Sequence, residues 1–434
     1  MNSVWKVSSV LPKFPKLEKN LETDVLIIGG GLCGVLCAYM LKNAGVDYVL
    51  LESDRICGKT TENTTAKITT QHGLIYGRIA KSRGLDFARQ YYDANNEALN
   101  EYKRLCKGIE CDFSECDAYI FTQNNEKKLT DEYELLLKLG IEAELLDTLS
   151  IPFEVNKAIK FPNQACFNPL KFVSVIAKDL NIYENSRVEE LIKTTAKANG
   201  HMVKAKRIIV ATHFPFINKH GLYYLKLFQH RSYVLALENT HEIKNMYIND
   251  TSYGLSLRSY NGLTLLGGEG HRTGKASYGW QGLEKIASRY FPNARIKYRW
   301  ATQDCMTLDG VPYIGKYSLF SDNLYVATGF NKWGITSSMV AARLLCDLIS
   351  GKENRYERLF SPSRSILKPQ LVVNSAEAIG NLLSFKAKRC PHLGCALVWN
   401  KQERSWDCPC HGSRFNEKGH VLDGPATNNL NIKQ

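Results

Sequence analysis

Short apolar runs alternate with longer amphipathic stretches through the first half of the chain, the pattern of strands laid beside helices. Asp24-Val-Leu-Ile-Ile28 reads as a short buried strand, residues 33–44 as a helix stopped by Gly45, and Asp47-Tyr-Val-Leu-Leu-Glu52 as a second strand. Between 85 and 107, apolar side chains recur at helical spacing (Leu85, Ala88, Tyr92, Leu99, Tyr102), which predicts a helix packed on a core. Residues 206–212 read as another buried strand, ending in small side chains. From 220 to 300, aromatics and alternating positions predict an antiparallel sheet. Residues 323–328 read as a strand that leads into a glycine-rich turn and then a helix through about Ile349. The charged stretch 351–370, with Pro362 and Pro369, reads as a linker.

A chain of 434 residues exceeds one ordinary core, so two or three domains are expected. Its 44% hydrophobic and 23% charged residues are those of a globular protein, not a disordered one. A net charge of +13 raises nucleic acid or an anionic surface as partners. The lysines are scattered, however, with no run of five or more basic residues, so no nucleic-acid partner is expected. Residues 25–41 carry no charge and approach the length of a membrane span, about 17–25 residues. They also hold three consecutive glycines, so no transmembrane segment is expected. Lys6, Lys13, Lys16 and Lys19 punctuate the N-terminus without an apolar core for a signal peptide, which makes a cytoplasmic location the expectation. In that compartment the thirteen cysteines read mostly as thiols or metal ligands.

Gly29-x-Gly31-x-x-Gly34 follows a predicted strand and opens a predicted helix, the setting in which glycines let a pyrophosphate approach a helix N-terminus. Glu52, at the end of the second strand, stands where an acid would bind a ribose hydroxyl. This pattern predicts a dinucleotide but does not separate FAD from NAD. Trp300-Ala-Thr-Gln-Asp-Cys-Met-Thr-Leu-Asp-Gly-Val-Pro-Tyr-Ile-Gly315, followed by Tyr325-Val-Ala-Thr-Gly-Phe-Asn-Lys-Trp-Gly-Ile-Thr336, resembles the closing motif of the D-amino-acid oxidase/glycine oxidase family of flavoproteins. The resemblance covers about residues 15–350 and implies FAD. It also implies that Gly329, Trp333, Gly334 and Thr336 approach the flavin. Lys59-Thr60 and Thr64-Thr65-Ala66-Lys67 occupy the place of the family's small-residue loop beside the ring, although they depart from its usual Gly-Ala-Ser-Gly form. The resemblance further implies that Val188 and Ala211-Thr212 sit on the adenine side. Lys67, Lys332 and Trp333 are the flavin-proximal candidates, since a cation there would stabilise anionic charge on the reduced ring. His72 and His271 are candidates for the substrate cavity, with a core or surface position as the alternative.

Near the C-terminus, Cys390-x-His392 and Cys408-x-x-His411 are separated by fifteen residues. Two thiolates and two imidazoles on paired loops suit tetrahedral zinc, and they also match the Rieske pattern for a [2Fe-2S] cluster. Cys390-Pro-His-Leu-Gly-Cys395 and Cys408-Pro-Cys-His-Gly-Ser413 resemble the Rieske ligand loops closely. The resemblance implies that Cys395 and Cys410 form the disulfide that braces the loops. Phe415 stands where high-potential members carry a tyrosine that bonds a ligating sulfur, implying a lower potential within the range of roughly −150 to +300 mV. Only residues 371–389 separate the linker from Cys390, so the domain reads as shortened. Cys106, Cys111 and Cys116 match no standard metal-binding spacing and read as structural.

The expected architecture is α/β, Rossmann-like and FAD/NAD(P)-binding, with an α+β substrate domain and a small all-β Rieske module. The oxidoreductase part spans 1–355, with flavin-binding segments at about 20–85, 150–215 and 300–355 and a substrate domain at about 86–150 and 216–299. Residues 356–370 link it to the Rieske domain at 371–434. The resemblance implies oxidation of a small amine or amino acid at a CH–NH bond. Electrons would pass through the cluster to an external acceptor, for which the basic surface suits a small acidic protein. The alternative is a flavin oxidase or redox sensor in which the Cys/His site is structural or regulatory.

Overall fold

The computed structural model describes residues 2–217, 221–251, 253–384 and 388–432, so 385–387 and 433–434 of the expected Rieske segment lie outside the described residues. Its first sheet has the strand order Tyr313–Lys316, Leu324–Thr328, His201–Val210, Leu21–Ile28, Tyr48–Leu51, Ile182–Tyr183. The strand Leu21–Ile28 pairs in parallel on both sides, with Ile28 opposite Val210 and Leu51. Val25, Leu26 and Ile27 are fully buried, as an apolar run covered on both faces requires. The helices Leu32–Asn43 and Gly334–Ile349 bury apolar side chains in the same core, which unites the first and last parts of the oxidoreductase half.

The second sheet has nine strands and receives two that had been expected in the flavin segments. Lys157–Cys166 pairs antiparallel with Ser114–Thr122, and Arg295–Thr307 pairs antiparallel with Leu227–Glu238. The boundaries of the flavin segments near 150 and 300 therefore shift inward. Alternation marks a strand but carries no information on which sheet receives it. The sheet is also mixed, because Met246–Asn249 runs parallel to Ser114–Thr122. In the helix Leu85–Cys106 the buried stripe runs through Ala88, Tyr91, Ala94, Ala98, Leu99 and Tyr102. Ala88, Leu99 and Tyr102 of the expected stripe are buried in it, whereas Leu85 is exposed and Tyr92 half-buried, with Tyr91 taking the inward place beside it.

The linker expectation for 356–370 needs correction. Glu357–Phe360 is a helical turn that buries Leu359 and Phe360, and Arg364 forms a buried ion pair with Asp309. Apolar and paired groups hold this segment against the oxidoreductase half. The module expected to be all-β from residue 371 instead opens in the helix Pro369–Leu383, whose proline sits in the first turn. A four-stranded antiparallel sheet follows, in the order Val398–Asn400, Ser405–Asp407, Arg414–Asn416, Val421–Asp423. Among the described residues no helix is long and apolar enough to cross a membrane.

Candidate functional site

A cavity of about 670 Å³ opens between the two large sheets. One end is built by the glycine loop after the strand Leu21–Ile28. Gly29 has φ +107, and a Cβ on it would meet the Ala211 carbonyl oxygen at 2.7 Å. A Cβ on Gly34 would meet the Gly29 oxygen at 1.9 Å. Gly29 thus lets two parallel strand ends meet, and Gly34 lets the helix lie against the loop. Gly29 and Gly31 line the cavity at the N-terminus of the helix Leu32–Asn43, whereas Gly34 serves packing and does not line it. Glu52 lines it as well, with Oε2 accepting from the Gly30 N–H at 2.6 Å and Oε1 from the Ser53 hydroxyl and the Asp54 N–H, each at 2.9 Å. This carboxylate is braced before any ligand arrives.

Thr60, Thr64, Thr65, Val188, Thr212, Gly329, Trp333 and Gly334 all line the same cavity, as do Lys67 and Lys332. Thr336 does not. Its hydroxyl pairs with His72 Nε2 at 3.1 Å, and the His72 ring stacks on Trp333 at 4.7 Å between centroids. Burial pulls His72 down to about 3, so it is a neutral core imidazole that props Trp333 from behind. His271 also lies off the cavity lining, stacked on Tyr233 with ring centroids 5.9 Å apart. Lys67 is held by the Ser256 hydroxyl, and burial followed by the neighbouring Arg258 guanidinium pulls it down to about 7. Burial likewise lowers Lys332, against the pull of Asp304, whose own carboxyl burial raises to about 6.

The second site forms where two loops of the C-terminal module face each other. Each loop makes the same turn: Gly394 N–H donates to Cys390 O, and Gly412 N–H to Cys408 O, both at 2.9 Å. The turns bring Cys390 and Cys408, 2% and 1% exposed, into contact. A hydrogen bond between the two thiols pulls Cys390 down to about 7 and pushes Cys408 up. The His392 and His411 rings stand 5.0 Å apart, and burial pulls the two down to about 4 and about 3, so both are neutral ligand-ready imidazoles. His411 Nε2 donates to Tyr224 O at 2.9 Å, while its buried Nδ1 has no hydrogen-bond partner. An orphaned imidazole nitrogen beside two close thiols fits a metal centre. Cys395 and Cys410 are joined in a disulfide, so although their sulfurs crowd Cys408 they are not free donors.

The two sites share a boundary. Phe214, which lines the cavity, stands 6.3 Å centroid to centroid from each of the His392 and His411 rings. Gln229 Nε2 donates to His411 O at 2.7 Å, and Gln303 Nε2 donates to Gly412 O at 2.8 Å. Both glutamines line the cavity. Arg272 donates to Pro409 O and Cys410 O at 2.8 and 2.9 Å. Farther along, Glu403 takes Arg231 and Arg414 together. Burial pushes its carboxyl up, but the two guanidiniums outweigh that and hold it at about 2. Phe214, Gln229 and Arg272 carry no local motif and sequence reasoning missed them, while Gln303 falls within the closing motif without having been singled out.

Comparison with known proteins finds two families along the chain. The profile of the FAD dependent oxidoreductase family matches residues 24–348, and that of the Rieske [2Fe-2S] domain matches 361–433. The chain is 37% identical to the putative Rieske 2Fe-2S iron-sulfur protein YhfW of Bacillus subtilis, over 97% of this chain and 95% of that one. It is 26% identical to gamma-glutamylputrescine oxidoreductase of Escherichia coli, over 79% and 87% of the two chains. In structure it is similar to glycine oxidase from Geobacillus kaustophilus, with a TM-score of 0.68 at 17% identity, covering 80% of this chain and all of that one.

Proposed function

This chain belongs to the FAD dependent oxidoreductase family and ends in a Rieske [2Fe-2S] domain, and we propose that it oxidises a small amine or amino acid at a CH–NH bond and passes the electrons through the cluster to an external acceptor. FAD would be held by the glycine loop, Glu52 and the residues around Thr60, Val188, Thr212 and Trp333, and the cluster by Cys390, His392, Cys408 and His411. When bound, FAD supplies hydride acceptance and the cluster supplies one-electron carriage.

The observation that carries this reading is Phe214, one side chain that lines the FAD cavity and touches both imidazoles of the cluster site. A cluster that served only structure would need no such shared wall. The relative that acts on gamma-glutamylputrescine supports an amine or amino-acid donor. Such a donor reacts as its neutral amine, so its ammonium must first give up a proton. Lys67 Nζ, pulled down to about 7 inside the cavity, is suited to take it. Lys332 and Asp304 share the adjoining wall, where each favours the other's charge against desolvation. A small acidic electron carrier is the acceptor class that the net charge of +13 favours, and a cytoplasmic location belongs to the same proposal.

The test is anaerobic mixing of the holoprotein with a panel of amines and amino acids. At least one donor should bleach the flavin's visible band and bring up the paramagnetic signal of a reduced Rieske centre. Bleaching of the flavin with the cluster left oxidised, accompanied in air by rapid oxygen uptake, rejects the relay in favour of a flavin oxidase.

A further inference from the structure

The C-terminal module touches the cofactor cavity through more than its ligand loops. Residues 421–427, in and after the last strand of the module, all line the cavity. Three side chains from elsewhere in the cavity lining grip this segment by its carbonyls. Lys59 Nζ donates to Leu422 O at 2.9 Å, Gln229 Nε2 to Gly424 O at 2.8 Å, and an Arg187 guanidinium nitrogen to Thr427 O at 2.8 Å. The segment therefore spans the cavity from the loop at Lys59 to the strand that begins at Val188.

Its position is set by the ligand loop, because the Ala426 N–H donates to Ser413 Oγ at 3.0 Å and Asp423 accepts from Arg414 at 3.0 Å. The ligand loop is seated in turn by Arg272 and by the Gln229–Gln303 pair, whose side chains are joined at 2.9 Å. No side chain fits at one point of this seat, since a Cβ on Gly274 would meet Pro409 N at 2.7 Å. The three grips from the oxidoreductase half, by Lys59, Gln229 and Arg187, all fall on main-chain carbonyls of the module. Placement of the module's backbone, more than the identity of its side chains, thus decides whether the cavity is closed.

We propose that residues 421–427 are a wall of the FAD site, so that FAD is retained only while the Rieske module is seated, and FAD in turn pins the module. The two cofactors are then held by one rigid interface, unlike a pair of tethered domains. The coupling is reciprocal by thermodynamic necessity: whatever factor an unseated module costs FAD affinity, FAD must return as resistance of the module to unseating.

The test uses full-length protein stripped of FAD and titrated with FAD, following the quenching of flavin fluorescence. Arg272→Met removes two of the loop's anchors without touching the cavity lining. It should raise the dissociation constant for FAD about tenfold and leave iron and labile sulfide unchanged, because the four cluster ligands lie within the module. In the wild type, FAD should slow protease cleavage at residues 365–368, beyond the buried Arg364, by a comparable factor. If Arg272→Met fails to fold, Gly274→Ala, which pushes the loop outward, should give the same loss of FAD. A variant whose module is cleaved faster while FAD binds with the wild-type constant overturns the proposal. So does wild-type protein that FAD does not protect.

Discussion

Arg364 grips Asp309 at two points, Nε to Oδ2 and Nη2 to Oδ1, each at 2.8 Å, and both side chains are 7% exposed. The aspartate comes from the Asp-Gly-Val-Pro turn of the closing motif and the arginine from the segment that joins the two halves. The pair therefore locks the connection to the flavin-binding core.

Breaking it should be costly. Arg364→Met leaves an uncompensated buried carboxylate and should lower stability by about 3–5 kcal/mol, read as a fall in thermal midpoint. Burial pushes Asp309 up, but Arg364 more than offsets this and leaves the carboxyl below the usual range. Its stabilisation is then fully present above about pH 4, where an unfolded aspartate is ionised, and is lost as pH falls through the depressed folded value. The gap in midpoint between wild type and Arg364→Met should accordingly shrink in acid. A gap that widens there would contradict the assignment.

Cys408→Ser removes one of the four cluster donors. Iron and labile sulfide should fall to background, while the flavin bands persist, because the Cys395–Cys410 disulfide and the ion pairs of Arg414 keep the module folded and Arg272, Gln229 and Gln303 keep it seated. Elemental analysis and a visible spectrum check both halves. Stoichiometric zinc in the wild type would remove the cluster from the account.

Phe214→Leu should slow reduction of the cluster by substrate-reduced protein severalfold in rapid mixing, with FAD and iron content unaltered. Phe214→Tyr, which keeps an aromatic ring between cavity and imidazoles, should restore most of the rate. A merely structural role predicts no difference between the two variants at equal stability.

Phe415 is fully buried in the core of the module with Cys390 and Cys408. Phe415→Tyr offers a hydroxyl donor to a cluster sulfur and should raise the midpoint potential within the range of roughly −150 to +300 mV open to Rieske centres. Redox titration followed by the cluster's paramagnetic signal measures the shift, and a lower potential contradicts the expected bond.

Lys67 provides a pH signature. Its amine titrates at about 7 when folded, because burial and then Arg258 disfavour its charge, against about 10.4 in the unfolded chain. Between those values the unfolded state binds the extra proton, so the lysine's contribution to stability rises with pH across that window. In FAD-free protein, wild type should gain on Lys67→Met in thermal midpoint as pH climbs from 7 to 10. A flat difference would mean that the ammonium has a counter-charge.

Sequence by itself determined whatever a few neighbouring residues can specify. The glycine loop and Glu52 are legible because a tight turn at a helix start demands particular residues at particular spacings. Cys390, His392, Cys408 and His411 are legible because each loop supplies two donors within four residues. The closing motif led to Trp333 and Gly334 in the same way, and Gly34 differs only in serving packing. Alternation likewise marked strands. It did not say that Lys157–Cys166 and Arg295–Thr307 join the second sheet, because a strand's edges are satisfied equally well by any partner of suitable register. Tertiary structure alone decided the shared wall of the two sites. Gln229 meets His411 across 182 residues of sequence, and Lys59 meets Leu422 across 363. Those contacts leave no local signature, since a glutamine amide or a backbone carbonyl takes any complementary partner and acquires a specific one only when packing removes water and leaves no other.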